Sequence, residues 1–250
     1  MPLKAIIIAA GTGSRLSPLT DERPKCLLEV GGKTILERAI EALRENGVER
    51  IAVVRGHLGH LIDYPDVTYY ENPRFKENNV LGSLFCAEDE MDDDLIVSYS
   101  DIVYSSEIVA SLVSSDADIA LTTDVDWLQR YDGRDGHPVS EAELVRIADG
   151  RVAKIGKGVI RADEAHGEFI GLAKFTRSAS EIMKAAYHLA ASAGADAPFQ
   201  RAASLEKAYL ADMIQELIDT GSTVKNVDIQ GGWMEIDTPH DLAKARRRYG

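Results

Sequence analysis

The sequence predicts an α/β fold: a mixed, mostly parallel sheet with helices on both faces. Three observations carry this expectation. Residues 4–10 form a continuous apolar run that stops at a glycine-rich loop, the mark of a strand buried on both faces. After that loop, strand-like and helix-like segments alternate, which argues a sheet wound by right-handed crossovers. The chain has 250 residues, 45% hydrophobic and 28% charged, so one domain can bury roughly three quarters of its unfolded surface without a staple.

Each element follows from local chemistry. Thr34 can cap a helix that carries Ile35, Leu36, Ala39, Ile40 and Leu43 on one face, and Gly47 stands where a C′ glycine belongs. Residues 51–54 and 67–70 read as strands; a polar loop at 71–79 leads to a helix near 80–90. Residues 95–99 form a further strand, a helix follows near 105–114, and 119–123 is another strand. From Asp124 to about His166 the chain turns polar, with short strand-like pieces at 144–146 and 152–155. This stretch reads as a small insertion over the edge of the sheet within one domain spanning 1–250. A strand at 168–175, helices at 178–192 and 203–219, strands at 224–229 and 233–236 and a last helix from Pro239 complete the pattern. Apolar faces on the helices near 178–219 offer a surface on which two copies could pair as a homodimer.

Composition narrows the function classes. The 41 acidic and 28 basic side chains leave a formal charge of −13, which repels phosphate backbones and anionic lipid, so neither nucleic acid nor a membrane is an expected partner. The N-terminal apolar run is too short for a signal peptide or a span, and the two cysteines suit a reducing, cytoplasmic setting. The histidines have no zinc-protease spacing and the cysteines make no zinc pattern.

In an open α/β sheet, ligands sit at the carboxyl ends of strands, which here points to the loops after residues 10, 100 and 236. The first loop runs Ala9, Ala10, Gly11, Thr12, Gly13, Ser14, Arg15, Leu16 and continues to Pro24, Lys25. Its two glycines let backbone N–H groups approach a phosphate, Arg15 offers a bidentate fork and Lys25 a point charge. Leu16 stands where a dinucleotide fingerprint needs its third glycine, and Gly31-Gly32-Lys33 lacks the upstream glycine of a P-loop.

The stretch from Ala9 to Gly32 resembles the G-x-G-x-R-L, P-K-x-L-L-x-V-G-G loop of the nucleotidyltransferases that make sugar nucleotides and CDP-alcohols. The resemblance extends through Asn78-Asn79 to Ser83-Leu84, Ser100-Asp101, and the segment Trp233 to Leu242, so it spans most of the chain. It implies a Rossmann-like, GT-A-like nucleotidyltransferase fold whose insertion, roughly 124–166, serves the acceptor. Among its branches the chain looks most like the small phosphocholine and phosphonate cytidylyltransferases, which implies CTP as donor and a phosphorylated or phosphonate acceptor such as phosphocholine or 2-aminoethylphosphonate. A sugar-1-phosphate guanylyl- or uridylyltransferase is the runner-up, and a nucleotide-binding sensor the non-enzymatic alternative.

The remaining candidates acquire roles under this resemblance. Asp101 and Asp237 each end an apolar strand, where an isolated carboxylate is costly, and a pair of them facing a phosphate loop suits Mg2+, a hard cation that keeps few protein ligands. Each could instead cap the helix after it. Asn78, Asn79 and Ser83 suit contact with a base or ribose, or capping. Lys154 and Lys157 occur where the family places a lysine over the acceptor phosphate, and Glu168 opens an E-F-x-G element like that lining its acceptor pocket. Asp124 and Trp127 are further acceptor candidates, Trp127 as a face for an ammonium group. Arg15 and Lys25 would hold the triphosphate while an acceptor oxygen attacks the α-phosphorus.

Overall fold

The computed structural model describes residues 3–134, 136–194 and 196–250. In chain order these form β1 (Leu3–Ala9), β2 (Glu29–Val30), β3 (Lys33–Thr34), α1 (Ile35–Glu45), β4 (Val48–Arg55) and β5 (Val67–Glu71). There follow α2 (Val80–Leu84), β6 (Asp94–Tyr99), β7 (Ile102–Tyr104), α3 (Ser106–Val113), β8 (Ile119–Asp124), β9 (Glu143–Ala148) and β10 (Arg151–Lys157). The last third holds β11 (Gly167–Phe175), α4 (Arg177–Ser192), α5 (Leu210–Asp219), β12 (Val224–Ile229), β13 (Trp233–Glu235) and α6 (Pro239–Tyr249).

The main sheet runs β12-β8-β11-β6-β1-β4-β5, and all neighbours are parallel except β11, which is antiparallel to both β8 and β6. Strand β1 lies in its interior, with Ile6 paired to Ala52 on one side and Val97 on the other. Side chains alternate along a strand, so Ile6 and Ile8 face one layer while Ala5 and Ile7 face the other. The first layer packs on α2, α4 and α5 through Leu81, Leu84, Met183, Met213 and Ile214; the second packs on α1 and α3 through Leu36, Ile40, Leu43, Ile108 and Leu112. Both faces are therefore covered, which is why β1 reads as an unbroken apolar run.

Helix α1 starts where expected: the Thr34 hydroxyl accepts from Glu37 N at 3.0 Å, and Glu37 reaches back to Thr34 N. The helix expected at 80–90 is shorter, because α2 gives way to a 3₁₀ stretch at Phe85 with Ala87 off helical geometry. The helix expected at 203–219 begins only at Leu210, where Asp212 accepts from Tyr209 N at 2.8 Å; residues 203–208 bury Leu205 and Ala208 through a loop and one 3₁₀ turn. From 124–166 comes the antiparallel β9–β10 hairpin, which is hydrogen-bonded into the main sheet beside the first residues of β11. Ile182 and Leu189 on α4 are exposed. No helix of the described residues is long and apolar enough to cross a membrane.

A small antiparallel pair sets up the site. Strand β13 pairs with β7, Met234 opposite Val103, and Ile236 N donates to Asp101 O at 2.8 Å. Val103, Met234, Ile236 and Leu242 bury against Leu16, Leu28, Val30 and Ile35, so the first loop and the C-terminal segment share one core.

Candidate active site

The carboxyl ends of β1 and β6 and the amino end of β11 open onto a cleft of about 580 Å³. Ala9, Ala10, Gly11, Thr12, Gly13, Ser14, Arg15 and Lys25 all line it. Gly13 sits at φ +62, and a Cβ there would stand 3.0 Å from Lys25 Cβ and 3.2 Å from Thr20 Cγ2, so glycine is required both for the turn and for space. Around Gly11 nothing would meet a Cβ within 4 Å, leaving the backbone open to a ligand. Behind the loop, His57 N donates to Ala10 O at 3.1 Å and Gly56 allows that approach; neither residue carries a motif that would have flagged it.

Charge converges at the far side of the loop. Lys25 Nζ lies 3.0 Å from Asp101 Oδ2 and 2.8 Å from Asp237 Oδ1, while Arg15 Nη2 lies 2.5 Å from Asp237 Oδ2. His137 Nδ1 meets the same Asp237 oxygen at 2.8 Å. Burial would raise the Asp237 carboxyl, but the His137 hydrogen bond and the Lys25 and Arg15 charges hold it well below the usual carboxylate range. Burial pulls the Lys25 ammonium down, and Asp101 and Asp237 more than reverse this, keeping it protonated. The helix-cap alternative does not hold for either aspartate: Thr238 caps α6 with Asp241 as its partner, and α3 starts from Ser105. Asp101 and Asp237 each lie two residues beyond a strand, in the links after β6 and β13, rather than at the strand end itself. His137 escaped the sequence reading because a lone histidine in a polar stretch shows no spacing to any partner.

At one end of the cleft stand Asn78, Asn79 and Ser83. Asn79 caps α2 by accepting from Val80 N at 3.0 Å and donates to Lys207 O, so its side chain already has a structural task. Buried Asn72 joins the other two, donating to Asn78 Oδ1 at 2.8 Å and to Ser83 Oγ at 2.9 Å.

At the other end Lys157 and Glu168 line the cleft, and Lys154 does not. The side chains of a strand alternate, so two lysines three positions apart on β10 point to opposite faces. Glu168 Oε1 accepts from Tyr131 Oη at 2.5 Å, and burial pushes its carboxyl up to about 8. Two acceptor candidates are displaced from the cleft. Asp124 is fully buried and spends its oxygens on Arg130, Trp233 Nε1 at 2.7 Å and the amides of Asp126 and Gly231. Trp127 packs into a small core with Ala142, Leu144 and Ile160, since an indole gains more from burial than from a solvated rim. In their place the cleft presents Glu143 and Tyr209, which a sequence pattern does not single out. Cys26 is buried, and its thiol is pushed up to about 12 by desolvation, so it acts as core.

Strand order and site together define the class: the protein is a nucleotidyltransferase of GT-A-like fold. CTP:phosphocholine cytidylyltransferase from Streptococcus pneumoniae superposes with a TM-score of 0.77 over 100% of both chains at 22% identity. The inositol-1-phosphate CTP transferase of T. maritima does so at 0.73, covering 99% of this chain and 97% of that one at 24% identity. Within the class, the chain belongs to the family of the MobA-like NTP transferase domain, whose model matches residues 5–150. It is 34% identical to the CTP:phosphoglutamine cytidylyltransferase of Campylobacter jejuni over 96% of this chain and 98% of that protein. It is also 39% identical to the 2-aminoethylphosphonate cytidylyltransferase of Lancefieldella rimae, over 41% of this chain and 44% of that protein.

Proposed function

We propose that the protein is a Mg2+-dependent cytidylyltransferase that joins CMP from CTP to a small phosphate or phosphonate acceptor and releases pyrophosphate. The observation that carries this reading is the likeness to the phosphoglutamine enzyme along 98% of that enzyme's length.

The residues fit a hard divalent cation. Asp101 and Asp237 flank Lys25 Nζ at 3.0 and 2.8 Å on the wall of the cleft, and Asp101 Oδ1 is buried with no hydrogen-bond partner. An all-oxygen pair with spare acceptor capacity suits Mg2+, which takes few protein ligands and fills its shell with phosphate and water. Asp101 and Asp237 would hold it, and when bound it neutralises charge between two anionic reactants.

The chain's own residues do the rest. An acceptor phosphate has a second pKa near ~6 and is already ionised at neutral pH, so no general base is required. Repulsion between nucleophile and triphosphate is the barrier to be lowered. Arg15 and Lys25, together with the open backbone at Gly11, hold the triphosphate and offset charge on the departing pyrophosphate. Lys157 reaches the cleft from the acceptor side and orients the nucleophile. Asn78 and Ser83, steadied by Asn72, line the end suited to the base.

The test is pyrophosphate release with Mg2+, pairing each of the four ribonucleoside triphosphates with phosphoglutamine, 2-aminoethylphosphonate, phosphocholine and sugar 1-phosphates. CTP with a non-sugar acceptor is the expected productive pair. UTP or GTP with a sugar phosphate would replace this reading by a sugar-nucleotide enzyme; binding of nucleotide without pyrophosphate from any pair would point to a sensor.

A further inference from the structure

Glu143 opens β9 directly opposite Lys157 on β10, and both side chains line the cleft. Only 5% of Glu143 is exposed. Its Oε2 accepts from Tyr99 Oη at 3.2 Å, but its Oε1 is enclosed and has no hydrogen-bond partner. A buried carboxylate oxygen without a donor is costly, and the fold tolerates it at the wall of a substrate cleft. Burial pushes this carboxyl up to about 7, the Lys157 charge opposing the rise.

The surrounding groups limit what can supply the missing donor. Lys157 Nζ lies 3.4 Å from Glu141 and 4.5 Å from the centroid of the Tyr209 ring. The Arg201 guanidinium lies 5.1 Å from the same ring. Two cations of the chain thus already use the face of Tyr209, the aromatic ring beside Lys157, and Trp127 is withdrawn into the core. A trimethylammonium group also has no N–H, so it would leave Glu143 Oε1 unpaired.

We infer that Glu143 receives an N–H donor of the acceptor, so that the enzyme selects phosphate or phosphonate acceptors bearing an amine or amide N–H over those bearing a quaternary ammonium. The inference rests on the cytidylyltransferase reading and names the substrate class within it. Directly opposed residues on paired strands stand about 5 Å apart at Cβ. An acceptor whose anionic group lies a few bonds from its N–H can therefore engage Lys157 and Glu143 together.

The experiment measures calorimetric binding of four probes to the full chain, with Mg2+ and a non-hydrolysable CTP analogue present, in the wild type and in Glu143→Met. Phosphoglutamine and 2-aminoethylphosphonate carry N–H donors; phosphocholine and ethylphosphonate carry none. The N–H probes are expected to bind at least about tenfold more tightly than the other two, the scale of one hydrogen bond to a charged group. Glu143→Met, nearly isosteric and without an acceptor oxygen, should erase most of that gap, weakening the N–H probes far more than phosphocholine, ethylphosphonate or the CTP analogue. Equal or tighter binding of phosphocholine overturns the inference, as does a variant that weakens all four probes alike or the absence of binding by either N–H probe. Pyrophosphate release read in parallel separates the two layers. Selective binding with no release from any probe would refute the cytidylyltransferase reading and support the role of Glu143; release with phosphocholine preferred would do the reverse.

Discussion

His137 Nδ1 lies 2.8 Å from Asp237 Oδ2, joining a buried ring in the 124–166 segment to a carboxylate one hundred residues further along the chain. On its other side, Nε2 stands 3.5 Å from Glu235. The ring thus fixes which way the Asp237 carboxylate faces. Replacing His137 by Ala should lower kcat/KM about tenfold and raise the Mg2+ concentration needed for half-maximal rate, with the nucleotide preference unchanged. A titration of rate against Mg2+ checks this.

Lys25 and Asp101 should be far less tolerant. Under the proposed function each would place a preorganised charge at the reacting phosphates, and losing one such contact costs at least ~10²-fold in turnover. Lys25→Ala and Asp101→Ala are expected to release pyrophosphate at below about one hundredth of the normal rate, measured on variant protein whose circular dichroism matches that of the wild type. Chelation of Mg2+ should have the same effect on the unmodified protein.

Two buried carboxyls give the fold a pH dependence. Glu168 is pushed up to about 8 and Glu143 to about 7, chiefly by burial, from ordinary values near 4.5. A carboxyl raised in the folded state binds its proton more tightly there, so its contribution is complete below about pH 4.5 and is lost as pH rises through the folded value. Tm should therefore fall between about pH 4.5 and pH 8 and level off above, by on the order of 5 °C for a chain of this size. Glu168→Gln should flatten part of that slope in a melting series.

Gly171 explains the glycine of the E-F-x-G element. It sits at φ +84, and a Cβ there would come within 2.4 Å of the Tyr99 ring. Gly171→Ala combines backbone strain with a steric clash in a packed strand and should destabilise by about 2–4 kcal/mol. Because Tyr99 also donates to Glu143, acceptor binding should weaken before the protein unfolds, which denaturant titration and acceptor binding measured together will check.

What could be read from the sequence was whatever depends on neighbours along the chain. The apolar run of β1, the Thr34 cap and the glycine turn of the first loop are local chemistry, and each appears as expected. Asp101 and Asp237 stand out because each carboxylate sits beside a buried strand, and both come to line the cleft. Asp124 stood out for the same reason and belongs elsewhere, since its partners Arg130 and Trp233 are set by tertiary packing that no spacing reveals. Trp127, His137 and Glu143 share that limit: their surroundings come from β9, β10 and β13, segments too short to show a period. The start of α5 was missed because Leu205 and Ala208 bury at helix-like intervals from a loop.

The hydrogen bond from Ile236 to Asp101 has a consequence for how the enzyme comes into being. The chain is made from its N-terminus, and early segments begin to fold while later ones are still being added. The region matched by the family model, residues 5–150, carries Arg15, Lys25 and Asp101 but neither Glu235 nor Asp237. A nascent chain that has emerged only to β12 can hold a phosphate loop without the second half of its acid pair. Under the proposed function, reactivity is expected only once β13 and Asp237 have emerged, so a product terminated before them would be chemically silent even where its sheet has formed.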